Sequence, residues 1–285
     1  MNRAIDRVMA DPAAPLRLTD LAKAAHLSPF HFHRVFQAVT GETPADFVKR
    51  QRLERALAQM AQPGRIPLSR VALDCGFSSP SDFARSFRQR YGVAPGRFDL
   101  AGWRAAHRAR LEAGMPDARV GALPPAEGED RFVAKVREVP ARTVAYIRVA
   151  NPYRGDGVAR AVDRLRAWAV REGYSKGPWL GFQWDNPDVV PLEQCRYHVA
   201  VVAPGVVARG EIGRFDFPAM RVAQVEVKGG IDLEIRALYW LYGAWLPRSG
   251  LVPDDHPCFE AWHGPPFAHG YERFELDILL PVRRG

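Results

Sequence analysis

Six residues in the N-terminal part of the chain recur at a constant offset of 51 positions, and this repeat constrains the fold more than any other feature. Each set combines three phenylalanines with one arginine, one glycine and one proline: Phe32, Arg34, Phe36, Gly41, Pro44 and Phe47 match Phe83, Arg85, Phe87, Gly92, Pro95 and Phe98. A segment with helical apolar spacing and a turn precede each set, at residues 19–28 and 69–79. The order of helix, turn and helix, found twice, predicts two helix-turn-helix units in an all-α domain.

The boundaries of these helices have their own sequence signals. Thr19, Ser28 and Ser69 are expected N-caps, because a side-chain oxygen at that place can accept a hydrogen bond from an unpaired backbone N–H. Gly76 suits a turn that needs a positive φ in the second unit, and His26 takes the same place in the first.

The second helix of each unit is predicted to have an apolar inner face and a polar outer face. Helical spacing gives these inner residues: Phe32, Val35, Phe36, Val39, Phe83, Phe87 and Tyr91. A helix that reads the major groove of DNA needs a polar, basic face opposite its apolar one. The outer residues are therefore the predicted DNA-binding residues: Phe30, His33, Arg34, Gln37, Ser81, Ala84, Arg85 and Arg88.

The positive charge of the chain is concentrated in its first part. Residues 1–112 hold 18 Lys and Arg against 10 Asp and Glu, whereas residues 113–285 hold 22 of each. A basic module joined to a neutral one indicates that only the first meets a polyanion. Residues 113–130 are rich in Pro, Gly and Ala without apolar periodicity, so they are predicted to link a domain of residues 1–112 to one of residues 131–285.

The C-terminal part contains a second, weaker repeat. PARTVAYIRV, which begins at Pro140, matches PAMRVAQVEV, which begins at Pro218, at an offset of 78. Segments with strand-like composition surround two helical stretches, residues 158–171 and 233–246. The pattern predicts an α+β domain of two βαββ units with a pseudo-twofold axis and a cleft between the halves, so that the whole chain is a two-domain α+β protein.

Several classes of protein are disfavoured by the sequence. Cys75, Cys195 and Cys258 lie far apart without a CxxC pair, which argues against a disulfide framework and fits a reducing compartment. No apolar run reaches the roughly 18 residues that cross a membrane, and the N-terminus lacks the apolar core of a secretory signal. The spacing of the histidines fits no usual zinc site. We therefore expect a cytoplasmic protein without a metal or a cofactor.

The N-terminal part resembles the AraC/XylS family of bacterial transcription regulators over residues 2–103. The resemblance rests on LSPFHFHRVFQAVTGETPADFVKRQRLERA and IPLSRVALDCGFSSPSDFARSFRQRYGVAPGRF, the second of which follows the family signature I-x-x-V-A, G-F, F-x-R-x-F and G-x-x-P. By this resemblance the base-reading positions are Phe30, His33 and Arg34 in the first unit and Ser81, Ala84 and Arg85 in the second.

Four motifs stand out in the C-terminal part: the RY pair at residues 196–197, WLPRSG, the P-x-F-E of residues 257–260 and the closing strand LDILLPV. By these motifs the C-terminal part resembles the GyrI-like effector-binding domain over residues 131–283, and the domain order resembles that of Rob-like regulators. In that family a glutamate of the F-E segment lies in the ligand cleft among aromatic side chains. The predicted ligand-binding residues are therefore Glu260, Tyr146, Tyr153, Trp184, Tyr239 and Trp262.

These features together predict a DNA-binding transcription regulator with a C-terminal sensor for an amphipathic, cationic small molecule, and not an enzyme. The expected partners are double-stranded DNA and a small-molecule effector; RNA polymerase is a candidate partner and no membrane is expected. Two units in one chain allow a monomer to read successive major-groove segments. Two alternatives stay open: hydrolysis of a small molecule by the C-terminal domain, and an architectural or protein-interaction role with an empty cleft.

Overall fold

The computed structural model describes residues 1–61, 66–114, 130–187, 190–254, 256–268 and 273–284, with the backbone alone for residues 111–114. These residues form two compact units, Met1–Ala106 and His107–Gly285. The predicted linker of residues 113–130 lies outside the described residues except for its ends. Within the described ranges, no helix is both long and apolar enough to cross a membrane.

The N-terminal unit is built from helices alone. Its helices are α1 Asn2–Ala10, α2 Leu18–Ala24, α3 Pro29–Thr40, α4 Pro44–Met60, α5 Leu68–Asp74 and α6 Pro80–Tyr91, with a 3₁₀ turn at Pro95–Arg97. The next helix, α7 Leu100–Gly114, begins in this unit and continues past its last residue, Ala106. Helices α2 and α3 form one helix-turn-helix unit, helices α5 and α6 form the other, and α4 separates them. The predicted all-α domain with two such units is confirmed.

The sequence repeat is reproduced in the aromatic core. The rings of Phe36 and Phe47 meet edge to face at 5.2 Å and 86°, and those of Phe87 and Phe98 meet at 5.2 Å and 85°. Edge-to-face contact is a favoured arrangement of aromatic pairs. The phenylalanine pairs of the two units therefore pack in the same geometry, which explains why the phenylalanines recur at one fixed offset.

The helix boundaries agree with the sequence in part. Ser28 accepts a hydrogen bond from the backbone N–H of His31 at the start of α3, as predicted. Thr19 and Ser69 are not caps, because α2 and α5 begin one residue earlier, at Leu18 and Leu68.

The inner face of α3 is narrower than its apolar spacing predicts. Phe32 and Phe36 are fully buried, whereas Val35 and Val39 are 41% and 59% exposed, so their predicted core position is wrong. Periodicity gives the direction of the apolar stripe, but its buried width depends on what packs against it. Here only the edge of α3 formed by the two phenylalanines reaches the core.

The C-terminal unit combines a large antiparallel sheet with helices. Its strands are β1 Lys135–Val139, β2 Arg142–Ala150, β3 Trp179–Gln183, β4 Arg196–Val202, β5 Gly213–Phe217, β6 Met220–Gly229, β7 Leu251–Pro253, β8 Phe259–Trp262 and β9 Phe274–Arg284. Its helices are α8 Gly157–Arg171, α9 Ile231–Trp240 and α10 Leu246–Ser249, with a π-helical turn at Leu241–Trp245 between the last two.

The strand order shows the predicted pseudo-twofold repeat, with one additional strand in each half. The order is β1-β6-β9-β8-β3-β4-β2-β5, with β7 paired to β9, so that the two halves mirror each other across the β8–β3 pair. Each predicted βαββ unit gains a strand before it, β1 or β5. These two strands pair with the opposite half, since β1 pairs with β6 and β5 pairs with β2.

The two faces of this sheet have different cores. Ala145, Ile147 and Val201 pack with α8 on one face. Val225, Ile278 and Leu280 pack with α9. Side chains of the opposite parity, including Val144 and Leu180, form a separate core on the other face.

Candidate functional site

The outer face of α3 presents most of its predicted DNA-binding residues to solvent. Phe30 is 67% exposed, Arg34 and Gln37 are exposed, and His33 is half-buried. The Arg34 guanidinium lies 5.8 Å from the centre of the Phe30 ring. Among the described residues Arg34 forms no ion pair, so its five N–H donors are available to an external acceptor.

The outer face of α6 is arranged differently. Ser81, Arg85 and Arg88 are exposed and Ala84 is half-buried. The Arg85 Nη2 atom lies 2.9 Å from Asp82 Oδ1. Asp82 is held in place by Ser78, whose hydrogen bond lowers the pKa of the Asp82 carboxyl, with Arg85 lowering it further.

Arg34 and Arg85 therefore occupy equivalent positions, but only Arg85 has a carboxylate beside it. The residue equivalent to Asp82 in the first unit is His31, which places no carboxylate beside Arg34. The first unit presents a free guanidinium and the second a partly neutralised one, although an exposed pair of this kind is worth only about 0–1 kcal/mol.

Part of the basic charge on α4 is structural. Arg50 is 4% exposed and pairs with Glu42 at 2.6 Å and Glu54 at 2.7 Å. Arg52 donates to the backbone oxygens of Pro12 and Ala14 at 2.7 and 3.0 Å. These two side chains hold the helical unit together, so neither guanidinium is available to DNA.

Replacing Arg34 with Ala is expected to weaken binding to the preferred DNA by about 1–3 kcal/mol and to relax the preference at one base pair, because a bidentate contact to guanine would be lost. Arg85→Ala, at the equivalent position, is expected to weaken binding with less loss of preference, since Asp82 partly neutralises Arg85 and its neighbours Ser81 and Ala84 offer little else to read bases with. Binding of both variants to a library of single-base operator variants measures this. A uniform loss over all sequences by Arg34→Ala would mean that Arg34 contacts phosphate alone.

In the C-terminal unit, Glu260 lies where the two halves of the sheet meet. Its strand β8 pairs with β3, with Glu260 directly opposite Gly181. Cys258 and Trp262 lie on the helix-bearing face, and Phe259 and Ala261 on the other, as strand alternation predicts. A Cβ atom at residue 181 would overlap the Tyr197 hydroxyl and the Glu260 carboxylate, so glycine is needed there.

The hydrogen-bond partners of Glu260 are neutral or acidic. The Tyr197 hydroxyl and the Trp262 indole N–H both donate to Glu260 Oε2, the latter at 3.0 Å. Glu234 of α9 also hydrogen-bonds Glu260 and is 5% exposed. Within the described part of the chain, no lysine or arginine pairs with this carboxylate.

Burial and mutual repulsion set the protonation of the two glutamates. Burial raises the pKa of Glu234 well above its ordinary value, and the neighbouring Glu260 raises it further. Burial also raises the pKa of Glu260, against hydrogen bonds from Tyr197, Glu234 and Trp262 that lower it. Glu260 receives several donors and is the better anion, so Glu234 holds the proton.

Other titratable groups around the pair resist ionisation. Burial raises the pKa of Tyr197, and the Glu260 charge raises it further. Burial raises the pKa of Cys258 and of Tyr153. The Tyr153 hydroxyl hydrogen-bonds Gln183, which lies opposite Tyr197 in the sheet. The site is therefore an acidic cluster with aromatic neighbours, in which Glu234 is the protonated carboxyl and Glu260 the ionised one.

The structure brings some of the predicted ligand-binding residues together and separates others. Tyr153 and Trp262 lie on the side of Glu260. Tyr146 and Trp184 do not, because they belong to the core of the opposite sheet face, where Tyr146 is fully buried. Tyr239 packs with Ile231 and Ile235 on another side of α9. A shift of one residue along the chain reverses the face in a strand, which is why the predicted place of Tyr146 and Trp184 beside Glu260 is wrong. Tyr239 is misplaced for another reason, because it lies on a side of a helix that packs with other residues.

Tyr146 instead joins a polar network on the opposite face. Its hydroxyl accepts from Arg148 at 3.0 Å, and Arg148 also donates to His198 Nε2 at 2.9 Å. His198 Nδ1 bonds the Phe182 carbonyl at 3.1 Å, so this nitrogen carries the proton. Burial and the Arg148 charge lower the pKa of His198 well below its ordinary value.

Sequence reasoning missed Glu234 and Tyr197. Glu234 lies in the same helical stripe as Leu238 and Leu241, so an acidic residue in an apolar stripe was its signal. Tyr197 belongs to the RY pair that supports the family resemblance. Among the described residues, no group of three or more His, Cys, Asp or Glu side chains could hold a metal ion.

Two family models match the chain. Residues 21–100 match a helix-turn-helix domain, and residues 134–283 match a GyrI-like small molecule binding domain. "Probable transcriptional regulator LumQ" of Photobacterium leiognathi is 39% identical over 85 residues, which are 30% of this chain and 34% of LumQ. The chain thus spans about a third of that relative's length.

Two further likenesses concern the separate halves. A DNA gyrase inhibitor of Edwardsiella piscicida is 33% identical over 160 residues, which are 53% of this chain and 98% of the inhibitor. The solved DNA-binding domain of AdpA in complex with a target DNA is 29% identical, with 38% of this chain and 91% of that domain covered at a TM-score of 0.31. Since the second family model spans more than half of the chain, the chain belongs to the GyrI-like small molecule binding family and carries an AraC-type helix-turn-helix domain before it.

Proposed function

We propose that this protein regulates transcription by binding specific duplex DNA through α3 and α6 and a lipophilic organic cation through Glu260. The observation that carries the ligand class is the half-buried Glu260 carboxylate, bonded to an indole and a phenol and, in the described structure, paired with no basic side chain. A carboxylate that is removed from water without a counter-ion favours a cationic partner.

The DNA-binding part of the proposal rests on charge and exposure. The excess positive charge lies in residues 1–112, and the outer residues of α3 and α6 are exposed around polar and basic groups. Two reading helices in one chain are compatible with binding as a monomer, and RNA polymerase is the natural partner of such a regulator at a promoter.

Selection of preferred sequences from a random DNA pool, with and without a panel of organic cations and neutral molecules of the same shape, tests the proposed function. We expect one preferred sequence family with a steep salt dependence, about −0.9 in log K per log salt for each phosphate neutralised. We also expect cations, and not neutral analogues, to change the bound fraction or transcription from the selected sequence. Binding without sequence preference, unaffected by any compound, would favour the architectural alternative.

Hydrolysis of a small molecule is the second candidate function. The observation in its favour is the Glu234–Glu260 pair, because an ionised carboxylate beside a protonated carboxyl offers a general base and a general acid together. Turnover of candidate esters and amides by the native protein distinguishes an enzyme from a sensor. A sensor releases its ligand unchanged after prolonged incubation.

A further inference from the structure

The contacts of the Glu234 carboxyl group do not explain it as a residue that stabilises the fold. It lies in the first turn of α9, 5% exposed, against the carboxylate of Glu260. Asp232, two residues earlier, instead pairs with Arg236 at 2.8 Å. Among the described residues, no lysine or arginine pairs with Glu234, so a second acid beside the Glu260 carboxylate needs a functional explanation.

We propose that Glu234 is the charge-matching residue of this site: it keeps its proton while no cation is bound and releases it when a lipophilic cation binds against Glu260. The inference rests on the proposed function, because it requires a cation at Glu260. It adds that one proton leaves the protein for each cation bound, and that the occupied site carries two negative charges.

The electrostatics of the site give the direction of this exchange. In the absence of a cation, two adjacent carboxylates shielded from water, Glu234 buried and Glu260 half-buried, cannot both ionise, so the single proton stays on Glu234. A positive charge within about 4–6 Å favours the ionised form of both groups. The N-terminal end of α9 also favours a negative charge at Glu234, since it lies in the first turn of the helix.

Other groups that face the pair are poorer proton donors. They are Tyr153 between β2 and α8, Tyr197 on β4, and Cys258 before β8. Burial raises the pKa of all three, and each starts from a higher ordinary pKa than a carboxyl. Glu234 is therefore the first group to lose a proton when positive charge arrives.

The exchange predicts how affinity depends on pH. Where the free site holds the proton and the occupied site does not, affinity for the cation rises about tenfold for each pH unit, because one proton is released on binding. At lower pH Glu234 stays protonated in both states and the dependence ends. Glu234→Gln is expected to bind the cation more weakly than the native protein at high pH, and the two affinities should converge as the pH falls.

Calorimetric titration of the native full-length protein with N-methylquinolinium tests the proposal, because the charge of this cation does not depend on pH. Titrations in buffers of different ionisation enthalpy give the number of protons released. We expect about one proton per cation for the native protein and none for Glu234→Gln. Asp232→Asn is the matched control, since it removes an acid from the same helical turn and should release protons as the native protein does.

The outcomes separate this inference from the proposed function. Binding of the cation by the native protein without proton release overturns the role of Glu234 and leaves the sensor function standing. Absence of cation binding overturns the proposed function itself. The native protein alone gives this result, so the test does not depend on whether Glu234→Gln folds. Equal proton release by native protein and a folded Glu234→Gln would assign the proton to another group.

Discussion

Replacing Glu260 with Gln is expected to weaken the binding of an aromatic cation at least tenfold, about 1.4 kcal/mol or more, while a neutral aromatic of the same shape binds as before. Glutamine keeps the shape of the side chain, and its oxygen can still accept from Tyr197 and Trp262. Only the charge is removed. The remaining attraction of a cation to the indole face is worth roughly 0.5–2 kcal/mol.

Fluorescence titrations of both proteins with N-methylquinolinium and with 1-methylnaphthalene measure this difference. Glu226→Gln is the matched control, because Glu226 is an exposed glutamate of the same sheet paired with Lys228 at 2.6 Å. The control should bind both compounds like the native protein. Equal cation affinities for native protein and Glu260→Gln would remove Glu260 from the site, and loss of both compounds would indicate damage to the fold instead.

The position of Glu260 could be predicted because strand alternation acts over a few residues. In the segment CFEAW, alternation places Cys258, Glu260 and Trp262 on one face, and the structure confirms it. The aromatic residues around Glu260 could not be predicted in the same way. They come from other strands and from α9, and the phase of each strand must be known before its side chains can be assigned to a face.

Tyr146 shows that a difference of one residue in strand phase is enough to place a side chain on the wrong face of the sheet. Strand β2 places Ala145 and Ile147 on the helix-bearing face and Val144 and Tyr146 on the other. The sequence of this strand is apolar on both faces, as befits a strand buried on both sides, so no alternation is visible in it. The sequence alone does not assign an aromatic residue in such a run to either face of the sheet; the register must be known first.

The pairing of β1 and β5 with the opposite halves of the sheet also could not be predicted from sequence periodicity. The offset of 78 relates Lys135–Val139 to Gly213–Phe217, so both strands are part of the repeat. Each pairs with the opposite half, β1 with β6 and β5 with β2. Pairing between distant strands depends on long-range contacts, whereas the repeat records only that two segments are alike.

The helical unit was more predictable since its contacts are local and its aromatic residues are distinctive. The exception is the width of the buried stripe on α3, where Val35 and Val39 stay exposed. The turns were predicted in both units: Gly76 has φ +81° and His26 has φ +56°. His26 is exposed, whereas the backbone of Ala13 lies close to Gly76.

Gly76→Ala is expected to destabilise the helical unit by about 2–5 kcal/mol. A non-glycine residue in the left-handed region costs about 1–2 kcal/mol, and overpacking adds about 1–3 kcal/mol. A Cβ atom at residue 76 would lie 2.6 Å from the Cα and from the carbonyl oxygen of Ala13. That backbone cannot move away freely, because Arg52 holds the carbonyl oxygens of Pro12 and Ala14 on either side.

Gly92→Ala separates the two contributions, since Gly92 has the same φ of +81° and no atom within 4 Å of the added Cβ. It should cost only the conformational part, about 1–2 kcal/mol. Urea unfolding of both variants gives the difference, and DNA binding gives its consequence, because Gly76 lies in the turn that orients α6 against α5. His26, which is exposed and has φ +56°, shows that an L-residue is tolerated at the equivalent turn. Equal destabilisation by the two substitutions would mean that the segment around Ala13 yields, and that the turn is held by its conformation alone.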